Sequence, residues 1–209
     1  MKKTMIMLMA MMMLLCSCGT KIEGEFTDGE SDEAVAEFER VANVETEEIE
    51  RFLAPFEFNK PFKSVEVWIE TYDHGELIDT IDIFSGPIEN APKGTEGFVA
   101  MYFDNNDGDV TMIDFLAHLD ADTEALISAD DIAVSELWGG KELQMFQATH
   151  QPEDGDEIIA GEPQLISFAG FKEAGEDVDA IIDFTGEGEN VAEMIQMSYI
   201  LTLNCQFEF

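Results

Sequence analysis

The sequence predicts a mainly β protein, an antiparallel β-sandwich or barrel-like domain preceded by one or two short helices. Three observations carry this. From residue 56 onward the apolar residues recur with a period of two, which puts alternate side chains on one face of a strand. Groups of Gly, Pro, Asn and Asp interrupt the alternation at hairpin intervals. The strand–helix alternation that a parallel sheet needs is missing.

The first eighteen residues form a segment of their own. Lys2 and Lys3 give a positive start, Thr4 to Leu15 is an uncharged run, and Leu15-Cys16-Ser17-Cys18 closes it. Basic, apolar, then small residues before a cut is the layout of a secretory signal peptide. The run is shorter than the about 20 residues that span a bilayer. Leu15-Cys16-Ser17-Cys18 resembles the lipobox of bacterial lipoproteins, with Leu at −3, small residues at −2 and −1, and Cys at +1. The resemblance covers only this N-terminal segment. It implies that 1–17 is removed, that Cys18 receives a diacylglyceryl group and becomes the new N-terminus, and that the chain lies on the extracytoplasmic face of a cell membrane. Cys16 departs mildly from the usual Ser, Ala or Thr; as the lipid site it is the worse candidate, because Leu14 and Leu15 would then flank the cut.

Residues 18–32, with Gly and acids and few apolar side chains, read as a flexible acidic tether. Across 33–54 the pattern is helical. Ser31 supplies a cap, Asp32 and Glu33 suit a first turn, and Val35, Phe38, Val41 and Ala42 share a face. Ile49, Phe52 and Leu53 continue that spacing until Pro55 stops it.

A single β-rich domain is expected over 55–209. Val65, Val67 and Ile69 alternate with Glu66, Trp68 and Glu70, Asp73-His74-Gly75-Glu76 makes a turn, and Leu77 to Phe84 returns. Phe98 to Phe103 and Val110 to Ala117 form a second hairpin around residues 104–109. Leu143 to Thr149 and Leu165 to Phe171 are further strands, whereas 120–133 and 173–193 are less regular. At the C-terminus every odd position from Ile195 to Phe209 is apolar, giving a long strand with one face in a core and the other wet.

Composition narrows function. Loss of Lys2 and Lys3 with 1–17 takes the formal charge from −36 to −38. That excludes nucleic acid, whose phosphates require Lys and Arg, and favours a cationic or protein partner at the envelope. After processing only Cys18 and Cys205 remain, so no intrachain disulfide is expected. No zinc motif, nucleophile elbow or phosphate loop is present, and His74, His118 and His150 are scattered, with His74 and His118 expected to face solvent.

Two candidate sites emerge. Asp104, Asn106, Asp107 and Asp109 crowd oxygen ligands onto one turn, suiting calcium if any metal, although the spacing is not that of an EF-hand. The same residue types favour turns without any metal. Trp68 and Tyr72 share the strand face opposite the aliphatic residues, where they could meet a sugar or a cation, or be covered. The expected function is a lipid-anchored extracytoplasmic binding or adaptor module with no cofactor. The alternatives are an envelope-polymer hydrolase using paired carboxylates and a calcium-binding surface protein.

Overall fold

The computed structural model describes residues 22–44, 49–104, 112–120, 125–150, 152–173 and 199–209. The strands are β1 (Ile22–Phe26), β2 (Ile49–Phe58), β3 (Phe62–Asp73), β4 (Glu76–Ala91), β5 (Glu96–Asp104), β6 (Met112–Asp120), β7 (Ala125–Ala133), β8 (Leu143–His150), β9 (Glu157–Ile159), β10 (Gln164–Glu173) and β11 (Tyr199–Glu208). Two helices accompany them, α1 (Asp32–Ala42) and α2 (Val134–Leu137). The first sheet runs β7-β6-β5-β2-β1-β9 and the second β4-β3-β11-β10-β8, with antiparallel neighbours throughout.

The sheets stack as a sandwich because each turns its apolar face inward. Phe56, Met101 and Phe115 of the first meet Ile69, Leu203 and Phe207 of the second in one continuous core. Phe58 lies 4.9 Å from Phe207 and 4.5 Å from Phe62, and such edge-on and tilted ring pairs add to the burial that drives packing. The β3–β4 hairpin turns at His74 (φ 50°) and Gly75 (φ 88°), the paired positive angles that a two-residue turn of type I′ requires. Tyr199, Leu201, Leu203, Cys205 and Phe207 are buried as the alternation predicts. The opposite face of β11 is only partly wet: Asn204 and Gln206 are half-buried, but Ile200 and Thr202 are buried beside Phe168. Ile195 and Met197 lie outside the described residues.

Three expectations from the sequence require correction. Residues 18–32 are not a tether throughout, because Ile22–Phe26 is a strand between β2 and β9. Its glycine serves close approach rather than flexibility: a Cβ on Gly24 would come within 2.6 Å of the Glu57 carbonyl. Gly29 meets the Leu53 carbonyl in the same way.

The helical segment also ends earlier than 54. Ser31 does cap α1, its Oγ accepting from the Ala34 amide, and Asn43 ends the helix at φ 57°. Ile49 onward is β2, where Phe52, Ala54, Phe56 and Phe58 face the core while Leu53 packs under α1, so the near-continuous apolar run imitates a helix. Pro55 is tolerated mid-strand because its carbonyl accepts from Thr27, just past the end of β1. The missing N–H would point to that same side, where no ladder continues.

Thirdly, Ala125–Ala133, within the region expected to be irregular, is the edge strand β7.

Candidate binding groove

Strand register builds a site on the outer face of the first sheet. Phe38 of α1 is fully buried against Leu53, Phe98, Ala100, Tyr102 and Leu116, with its ring 5.2 Å from that of Tyr102 and 6.0 Å from that of Phe98. The helix therefore lies across the β2, β5 and β6 strands. Beside it His118, Phe98 and Pro55 are in cross-strand register, and Thr27 adjoins Pro55. This row is the floor of a groove of about 810 Å³. One wall is the flank of α1, with Glu33, Ala34, Glu37 and Arg40; the other carries Glu57 and Glu96, and Asp28 and Asp154 close the end.

The second wall belongs to a longer row. Glu96 pairs with Glu57, Glu57 with Glu25, and Glu25 with Glu157, so four glutamates face one another across four adjacent strands. At about 4.8 Å per strand the row is about 14 Å long. Like charges directly opposite one another destabilise a sheet. Glu25, Glu57, Glu96 and Glu157 are exposed, and among the described residues no base is paired with them. Four other bases are engaged with other acids. Arg40 grips Glu37 through two hydrogen bonds, Arg51 reaches Glu30, Lys60 pairs with the buried Glu23, and Lys141 pairs with Asp73.

The Glu37 carboxyl is held below its usual range, chiefly by the Arg40 hydrogen bond, whose effect outweighs burial. His118 is a correction: it was expected at the surface, yet it is buried in the floor, its ring 5.3 Å from Phe98 and Nδ1 3.8 Å from Glu37 Oε1.

The other sequence candidates fall elsewhere. Trp68 and Tyr72 are half-buried on the outer face of the second sheet and both donate to Glu70, at 3.3 and 2.5 Å. Burial, followed by that hydrogen bond, pushes the Tyr72 hydroxyl far above its ordinary pKa. Tyr72 also packs on Phe168 and Ile200. Of the calcium candidates, Asn106, Asp107 and Asp109 lie outside the described residues, and Asp104 ends β5. Among the described residues no group of His, Cys, Asp and Glu is arranged to hold a metal. Cys205 is buried, and burial raises its thiol well beyond the reactive range.

Sequence reasoning missed one further cluster, which closes one end of the sandwich. Lys141 Nζ donates to Tyr199 Oη at 2.5 Å and to Asp73 at 3.2 Å, and Tyr199 Oη donates to Glu173 at 2.9 Å. His74 Nδ1 is 2.6 Å from Asp73. Lys141 is raised, first by its bond to Tyr199. The same bond lowers Tyr199, but burial and Glu173 outweigh it. Both therefore keep their protons at neutral pH, and neither serves as a base. Gly139 and Gly140, both at positive φ, bring Lys141 there from a turn after Trp138, whose indole donates to the Tyr72 carbonyl.

No protein-family model, curated protein or solved structure matches the chain. Among the described residues no helix is long and apolar enough to cross a membrane.

Proposed function

We propose that this chain is a lipid-anchored extracytoplasmic binding module, with the groove between α1 and the first sheet as its binding site. The observation that carries this is the disposition of its acids. The core is continuous and apolar, while the groove sets carboxylates, with Arg40 among them, around a floor of Pro55, Phe98 and His118. A glycosidase needs a carboxyl raised toward neutrality as general acid. Glu37 and Asp73 are both shifted the other way.

The anchor rests on the Lys2-Lys3 start and Leu15-Cys16-Ser17-Cys18. Ile22 opens β1 four residues after Cys18, a reach of at most about 14 Å, so the anchored sandwich sits against the leaflet. A calcium role keeps only the oxygen-rich composition of 104–109 as support. In cells, Cys18→Ala abolishes lipid labelling and membrane retention. A photoreactive residue at position 57 captures a partner that one at position 79, on β4, does not. Retention of the Cys18→Ala protein, or equal capture from both positions, contradicts the proposal.

A further inference from the structure

We infer that the groove seats an extended segment of a protein partner bearing lysine or arginine on alternate residues. This rests on the binding-module reading above and names the occupant of the same site. Size is the first argument. The row of Glu96, Glu57, Glu25 and Glu157 that continues the groove wall is about 14 Å long, the length of about four residues of extended chain, which rises about 3.3 Å per residue. The floor is the second. Half-buried Pro55, beside the buried Phe98, offers apolar surface to one set of side chains, while the alternate set reaches the wall formed by Glu57 and Glu96.

Charge complementarity is the third. Four glutamates in register repel one another in the free protein, and Arg40 and Lys60 are engaged with Glu37 and Glu23 instead. A cationic segment laid along the row removes that repulsion, so differential stabilisation favours the occupied state. A compact cation suits the site less, since its carboxylates stand in a line on separate strands rather than around a point.

The test uses the full chain in zwitterionic detergent and a fluorescent eight-residue peptide alternating lysine and leucine, at physiological salt. Anisotropy gives the affinity, and carbodiimide coupling followed by peptide mapping shows which carboxylates touch the lysines. Coupling is expected to concentrate on Glu25, Glu57 and Glu96. Glu57→Gln with Glu96→Gln weakens binding roughly three- to tenfold. Ala34→Trp, which fills the groove and leaves its charge intact, weakens it to a similar degree. Asp79→Asn with Asp82→Asn, the same charge change on β4, alters it less than about twofold.

Coupling spread evenly over the surface acids, equal loss from the β4 pair, or displacement by spermine at the same amine concentration overturns the inference. Capture of a partner at position 57 in cells, with no groove preference by the peptide, overturns the cationic occupant but leaves the binding module standing. Equal capture at positions 57 and 79 sinks both.

Discussion

The two outer faces of the sandwich treat their acids in opposite ways. On the second sheet Glu70 stands between Trp68 and Tyr72 and accepts a hydrogen bond from each, and Tyr72 in turn packs on Phe168 and Ile200. That carboxylate is part of the folded structure. On the first sheet Glu25, Glu57, Glu96 and Glu157 oppose one another in register, and no described base pairs with them. Both faces are rich in acids, so composition alone does not distinguish them. The difference lies in who supplies the partner: the chain itself for Glu70, and another molecule, in our account, for the row beside α1.

The comparison can be broken most forcefully at Phe38. Truncating a fully buried ring that pins α1 to the first sheet removes that contact and leaves a cavity, so Phe38→Ala costs about 3–5 kcal/mol. Urea denaturation measures the loss, and peptide binding in the groove falls with it. A smaller effect comes from pH. Asp73 is held below the usual carboxylate range, first by its contact with His74 and then by Lys141. A lowered folded-state pKa contributes stability above the ordinary aspartate value that is lost as pH falls through the folded value. Titration of the melting temperature below about pH 4 therefore shows an acid limb that is shallower in Asp73→Asn. An unchanged limb would mean the network at that end of the sandwich contributes nothing.

Much of the fold is legible in the sequence because it is written in local alternation. The β3–β4 hairpin with its His74-Gly75 turn, the inward residues of β11 and the Ser31 cap all follow from neighbours a few positions apart. What was hidden depends on covering surfaces. Ile49, Phe52 and Leu53 imitate a helix because β2 is buried on both faces, by the core on one and by α1 on the other. Residues 22–26 read as tether because a short strand filling a gap between two others needs few apolar residues of its own. The groove was not legible at all. Glu25, Glu57, Glu96 and Glu157 are far apart in the chain, and only strand register lines them up. His118, likewise, is buried by α1, an element remote from it in sequence.

The most direct test of the account is the sign of two changes that neutralise glutamates, one on each outer face. Trp68 and Tyr72 donate to different oxygens of Glu70, so Glu70→Gln leaves one of them without its acceptor and should destabilise the protein by about 1 kcal/mol. Glu57→Gln with Glu96→Gln relieves a like-charge pair and should stabilise it by a few tenths of a kcal/mol, a gain that shrinks as salt is added. Opposite signs in urea denaturation at low ionic strength are the predicted result. Destabilisation by both would mean that the glutamates of the first sheet already have their partners within the fold, and would contradict a groove held open for another molecule.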